Sequence, residues 1–314
     1  MKKKVVVLGG GTGISYLLKG LKDFPLEITA IITVADNGKS TGKLREEFLT
    51  PAVGDIRKVL SNLSTLSPEI KDVMEYRFNT YSDLDGHPIG NLLLTAFLNK
   101  TNNFKQSIEY MSKLLDVKHK VLPLSEDYLT LIAETSEKET IIGEDAIGKC
   151  GKKIENIYYQ EKPHITEEVI TAITEADLII ISMGSLYTSI LPNIICEEVR
   201  DAIFKNKGKL MYLCNIMNQP SETTSSYVSE YLETLNKYLI KRKIDVVVAS
   251  NAEISNEMLE KYEEESKAQV VIDKEKIEKM DVELIEDDLI TLEDGTIKHN
   301  SLKLSAIIFA YLMR

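Results

Sequence analysis

Cysteine, histidine and long apolar runs are all scarce in this chain of 314 residues. Its three cysteines, Cys150, Cys196 and Cys214, form no CxxC and are odd in number. That excludes a disulfide framework and a cysteine-based zinc site, and it fits a reducing compartment. The four histidines are too scattered for a histidine metal cluster. No apolar stretch approaches the length of a transmembrane helix. The run at residues 5–8, behind the basic start MKKK, is too short for the apolar core of a signal peptide. Positive charge is also short: 38 Lys and Arg stand against 49 Asp and Glu, a net charge of −11. Non-specific attraction to nucleic acid or to an anionic membrane is excluded on that balance, while a local cationic pocket is not. Internal repeats and low-complexity linkers are absent. The expectation is a cytoplasmic protein with a small-molecule ligand, no nucleic-acid partner and no membrane insertion, a homo-oligomer being left open.

What is present is an ordinary globular composition, 43% hydrophobic and 28% charged. The apolar run at 5–8 reads as a buried strand ending in glycines, followed by a helix over 15–21 and a β-branched strand over 28–34. Strand, glycine loop, helix and strand in that order open a parallel α/β sheet. Helical patterns follow at 44–48, 56–63, 69–78, 89–98 and 104–114. Short β-prone runs punctuated by Gly143, Gly148 and Gly151 then predict an antiparallel insertion over about 119–160. Helix–strand alternation resumes to residue 249. The acidic remainder predicts surface helices, edge strands and a closing apolar helix over 302–312. The fold class expected is α/β: one Rossmann-like, three-layer sandwich over 1–314, mostly parallel, with a small embedded β-rich insertion.

Ligands of such sheets bind beyond the carboxyl ends of the strands, where loops carry the chemistry. In GGGTG, residues 9–13, Gly10, Gly11 and Gly13 let backbone approach a phosphate at a helix N-terminus, and Thr12 adds a hydroxyl. The dinucleotide fingerprint GxGxxG fails, because its third glycine falls on Ile14. In ADNGKSTGKLR the tail GKST imitates a P-loop, but the glycine required five residues earlier is Thr33. Asp36 would place a carboxylate where a phosphate belongs. The stretch instead offers Asp36, Asn37, Ser40 and Thr41, with the cations Lys43 and Arg45. Its competing reading is a capped surface helix. Asp55, in PAVGDIRKVL, reads either as an acid favouring a helix dipole or, with Asp36, as a holder of a divalent cation against a diphosphate. His87 in DGHPIGNLLL reads as a hydrogen-bonding residue rather than a catalyst. GSLYTSILPN supplies Ser185, Thr188 and Ser189 as a second anion site, and Tyr187 to pack on a base or fill the core. NIMNQPSETT offers Asn215, Asn218 and Gln219 to a base or sugar, or else a polar loop capped by Ser221.

Taken together, VVVLGGGTG, DNGKSTGKLR, GDIRKVL, HPIGNLLL, GSLYTSILPN and NQPSET resemble the signature blocks of the CofD/YvcK-like family, in order and spacing, from residue 5 to about 249. The chain is similar to the gluconeogenesis-factor branch more than to the 2-phospho-L-lactate transferases. The first branch implies a UDP-sugar binder linked to gluconeogenic growth and cell shape. The second implies a divalent-metal transferase, Mg²⁺ being the natural cation, that takes a guanosine diphosphate-linked donor. By position the resemblance implies that Gly10, Gly11, Thr12 and Gly13 bind phosphate, and that Asp36 and Asp55 bind metal. It implies a nucleotide pocket lined by Ser185, Tyr187, Thr188 and Asn193. The family block D-N-G-G-S-[ST]-G-R-L-R has Lys39 in place of its second glycine here, which is what creates the P-loop imitation.

Overall fold

The computed structural model describes residues 2–221, 223 and 225–314. The unbroken apolar run of residues 5–8 becomes the centre of strand β1 (Lys3–Gly9), and it is buried on both faces. Side chains alternate across a strand. Accordingly Val6 and Leu8 enter the core on one side of the sheet, and Val5 and Val7 the core on the other. A strand covered on both faces belongs to a parallel sheet with two helical layers.

In chain order the strands continue as β2 (Leu26–Ile32), β3 (Lys120–Pro123), β4 (Leu131–Thr135), β5 (Thr140–Ile142), β6 (Ile154–Tyr159), β7 (Leu178–Ile181), β8 (Lys209–Leu213), β9 (Val246–Ser250) and β10 (Glu283–Asp287). Seven of them form one sheet, ordered β10-β9-β8-β7-β1-β2-β3, and every pairing in it is parallel. The chain therefore builds outward from β1 through β2 to β3. It then returns to the other side of β1 and builds outward again from β7. The junction of β1 and β7 is the topological switch point, where helices diverge to opposite faces and leave a crevice. Helix α1 (Gly11–Leu21) starts there, and α2 (Lys39–Phe48) and α3 (Gly54–Leu63) follow β2.

The antiparallel insertion exists as β5-β4-β6. Its expected start at 119 is corrected: residues 120–123 are edge strand β3 of the main sheet, paired in parallel with β2. A four-residue apolar strand looks the same in sequence whichever sheet takes it. A hairpin of β11 (Ile290–Glu293) and β12 (Thr296–His299) precedes the last helix, Ser301–Leu312, which packs on α1. No helix among the described residues is long and apolar enough to cross a membrane.

The loop after β2 is not a P-loop. Asp36 Oδ1 accepts the Gly38 N–H at 2.9 Å, so a carboxylate occupies the amide a P-loop would give to phosphate. Lys39 stands at φ +39°, in the left-handed region. This explains the glycine in the related block without any close ligand approach, because only glycine adopts that region at no steric penalty. Lys39→Gly is expected to stabilise the chain by ~0.5–1 kcal/mol, read as a raised midpoint in urea with unchanged slope. A lowered midpoint would show that the lysine side chain contributes more than its backbone strain takes away.

Candidate functional site

Two cavities meet at the switch point. The first, about 280 Å³, is lined by Gly10 to Gly13 of the first loop, Asp36, Asp55, Lys58, Glu144, Gly184, Ser185, Ser189 and Gln219. The second, about 260 Å³, shares Thr12, Gly13, Gly184 and Gln219 with it and continues to Asn215, Asn218, Tyr262, Lys267 and His299. Larger hollows of about 660 and 620 Å³ lie elsewhere, one across the amino ends of β1 and β2, the other between the insertion and the helix at 197–205. The first of these is bridged by Glu168 paired to both Lys105 and Lys120. Neither touches the glycine loop, and the switch-point cleft is where the fold directs a ligand.

The start of α1 supplies the anion-binding element. The first turn of any helix has amides without intrahelical acceptors. Gly11, at φ +64°, turns the chain into α1, and its N–H donates to Asp55 Oδ2 at 2.6 Å. Asp55 is buried in the first turn of α3 and pairs with Lys58 Nζ at 3.3 Å. The acid thus serves a helix terminus, though that of α1 rather than its own. Asp36 stands beside it, half-buried. Burial first, then the Asp55 charge, push the Asp36 carboxyl above its usual range, against opposing bonds from Gly38 and Thr41. Asp36, Asp55 and Glu144 face a single lysine across this first cavity. A diphosphate entering it meets net repulsion unless a cation accompanies it.

The residue types present fit a divalent cation. Burial and, second, the neighbouring Asp55 carboxylate raise the Asp36 carboxyl, so two acids share one partly buried wall. Among the described residues no group of three or more His, Cys, Asp or Glu stands close enough to hold a metal alone. Two carboxylates, with the rest of the shell from phosphate and water, is the usual arrangement for Mg²⁺. Asp36 and Asp55 are the residues that would hold it.

The other expected ligand residues divide. Ser185 lines the first cavity, and so does Ser189 four residues on. Between them runs a π-helical turn, Leu186–Ile190, in which the Ile190 N–H reaches the Ser185 carbonyl at 3.0 Å. The turn aims Tyr187 and Thr188 into the interior, where the Tyr187 hydroxyl donates to the Ile154 carbonyl of the insertion. Asn193 is fully buried, and its amide donates to the Ser189 carbonyl at 2.9 Å, holding the π turn from behind. The side chain of Asn215 takes both ends of Gly184, its N–H and its carbonyl, at 2.8 Å each. It shapes the rim between the two cavities and lines the second.

Ser40 and Thr41 lie buried behind the rim rather than on it. Arg57 Nε donates to Asn91 Oδ1 at 3.1 Å, Asn91 Nδ2 donates to Ser40 Oγ at 3.1 Å, and Ser40 Oγ shares a hydrogen bond with His87 Nδ1 at 2.8 Å. This chain ties three of the sequence blocks together. Burial pushes the His87 pKa below its usual value. Arg57 continues the chain to Glu75. Asn37 is exposed, and its side chain is engaged with the insertion at the Asp145 N–H.

Several lining residues went unseen in the sequence: Lys58, Glu144, Tyr262, Lys267 and His299. His299 Nε2 donates to the Cys214 carbonyl at 3.1 Å, and burial pushes its pKa down to about 4. It is therefore neutral at physiological pH. Lone residues of these types, far apart in sequence, carry no local signal. Glu222 and Thr224 of the NIMNQPSETT loop lie outside the described residues. Ser221 is not the cap of the helix that follows, which begins at Val228 behind Tyr227.

Comparison with known proteins shows what the chain resembles as a whole. The family model described as 2-phospho-L-lactate transferase CofD matches residues 5–290. A gluconeogenesis factor of Bacillus subtilis is 40% identical over 308 residues, covering 98% of this chain and 97% of that protein. A putative gluconeogenesis factor of Thermotoga maritima is 40% identical over 311 residues, with 97% and 98% covered. A crystal structure of a Bacillus halodurans protein, 39% identical, superposes with a TM-score of 0.95 over 98% of this chain and 100% of that one.

Proposed function

The chain belongs to the CofD family and is a relative of the bacterial gluconeogenesis factors, and from that premise we propose that it is a regulatory protein that binds a nucleotide sugar of the UDP-sugar type. The observation that carries this reading is the two-part cleft at the switch point, with the glycine turn of α1 on the wall common to both parts. A diphosphate on that shared wall directs the groups at its two ends into different compartments. The second compartment, with Asn218, Gln219 and the neutral His299, suits a base that both donates and accepts hydrogen bonds. The Gln219 side-chain oxygen is buried without a hydrogen-bond partner among the described residues, so a donor on the ligand would satisfy it. Its place of action would be the cytoplasm, and its role a link between gluconeogenic growth and cell shape.

A second reading is supported by the family model itself: a metal-dependent transferase acting on a nucleotide-diphosphate-linked donor. The same acids would serve it. A cation bound there would supply charge neutralisation of a departing diphosphate, while Asp36 and Asp55 would orient it and the first turn of α1 beyond Gly11 would position the phosphates.

A thermal-shift screen of nucleotides, UDP-sugars and dinucleotides, with and without Mg²⁺, tests both. A ligand at a hundred times its dissociation constant adds ~2.7 kcal/mol, and the nucleotide reading expects a UDP-sugar to do so. Recovery of the sugar conjugate intact supports the binder; release of free nucleotide supports the transferase. A shift with NAD(H) that UDP-sugars cannot displace overturns both.

A further inference from the structure

We propose that Glu144, carried by the β-rich insertion, is a specificity-determining residue that accepts hydrogen bonds from the hydroxylated group attached beyond the diphosphate. The inference rests on the nucleotide-diphosphate reading above. Its basis is a contact between two segments more than a hundred residues apart in sequence. Asn37 Oδ1 accepts the Asp145 N–H at 2.9 Å. Gly143 lies against the same side chain so closely that a Cβ there would stand 2.6 Å from Asn37 Nδ2, and its φ of +95° favours glycine in any case. Asp145 is paired with Lys149 at 2.6 Å. Held in this way, the 143–145 turn makes Glu144 part of the wall of the first cavity, together with Asp36, Asp55 and Ser185.

The chemistry of a carboxylate selects what it meets there. Ionised, it accepts hydrogen bonds and donates none. A phosphate is repelled by it, and a base is better served by the amides and the neutral imidazole of the other compartment. The acids that would share a cation are Asp36 and Asp55, whose charges act on one another, while Glu144 comes from the insertion. What remains is a neutral group rich in donors, which is the character of a sugar. The ligand then lies with its base toward Asn218, its diphosphate across the glycine turn, and its sugar against Glu144. Asn37 acts as a positioning residue through the insertion.

The test is calorimetric titration with Mg²⁺ of three pairs: UDP and UDP-glucose, GDP and GDP-mannose, ADP and ADP-glucose. For the pair that binds, Glu144→Ala is expected to weaken the sugar conjugate about tenfold and to change the free diphosphate by less than about twofold, as loss of one hydrogen bond to a charged group implies. Glu144→Gln, which retains an acceptor oxygen, is expected to fall between. Asn37→Ala is expected to repeat the split, with the thermal midpoint of each variant confirming the fold. Equal weakening of both members, or no weakening of either, overturns the role of Glu144 and leaves the nucleotide reading standing. Wild-type protein that binds the free diphosphate but not its conjugate overturns Glu144 alone. Failure of all six compounds on the wild type overturns the nucleotide reading and this inference with it.

Discussion

Gly13→Ala is expected to destabilise the chain by about 3 kcal/mol, the upper range for overpacking a close contact. A Cβ on Gly13 would stand 2.0 Å from the Met183 carbonyl oxygen and 2.8 Å from its carbon. Both are backbone atoms, at the carboxyl end of β7, and no rotamer change can make room. The first turn of α1 would have to lift away from β7 at the switch point, opening the wall that the two cavities share. For a chain of this size the loss corresponds to a fall in thermal midpoint of roughly 4–5 °C. Gly11→Ala tests a different mechanism, since a Cβ at Gly11 would meet only Ser189 Oγ, at an ordinary contact distance of 3.5 Å, and its positive φ is what penalises a side chain; it is expected to cost ~1 kcal/mol. Scanning calorimetry on both variants checks the ranking. A Gly13→Ala protein as stable as Gly11→Ala would mean that the contact between α1 and β7 is looser than the structure shows.

That contrast changes what the glycine run means. Read in sequence, four glycines in five residues point to backbone approaching a phosphate. In the fold, Gly9 faces Ser182, Gly10 faces Thr33 and Gly13 faces Met183, each leaving no room for a Cβ. Much of the surplus is demanded by neighbouring strands crowding into the switch point. The glycines make the crevice, and a ligand would use what they leave. The strand and helix order was legible because a doubly covered strand and an amphipathic helix leave different apolar periods. The helix at Phe104–Leu114 has the bounds its pattern predicts. The rim was legible as a set of loops. Which side chains face the cleft was not, because that depends on local winding: a π turn sends Tyr187 and Thr188 inward, and a buried chain from Arg57 to His87 takes Ser40. Glu144 was invisible for a further reason. Its place is set by a return of the insertion to the rim, and no local pattern encodes a contact across 108 positions.

Asp36→Asn is expected to stabilise the cation-free protein at neutral pH and to remove the dependence of nucleotide binding on Mg²⁺. Burial, and secondarily the Asp55 carboxylate, hold the Asp36 carboxyl above its usual range. A raised carboxyl means that the native state binds the proton more tightly than the unfolded chain does. Its contribution is therefore fully present below the unfolded pKa of an aspartate and is lost as pH rises through the folded value. At pH 7, well above the unfolded value, Asp36 therefore opposes folding. Asparagine preserves an Oδ1 acceptor for the Gly38 N–H, now at 2.9 Å, and removes the charge. A gain of about 1 kcal/mol is the scale for relieving a strained functional site, measurable by urea denaturation at pH 7.5, with the advantage over wild type shrinking toward pH 4. Binding should move the opposite way. In wild type, Mg²⁺ is expected to raise the midpoint of the nucleotide complex by the ~2.7 kcal/mol of a saturating ligand, whereas the variant, with one carboxylate left, gains little. Asp36→Asn less stable than wild type without cations, or a Mg²⁺ response undiminished by the substitution, would remove Asp36 from the site. The acid is kept, on this argument, at the expense of the empty fold, because a cation and a diphosphate arriving together need the charge that the protein alone cannot comfortably hold.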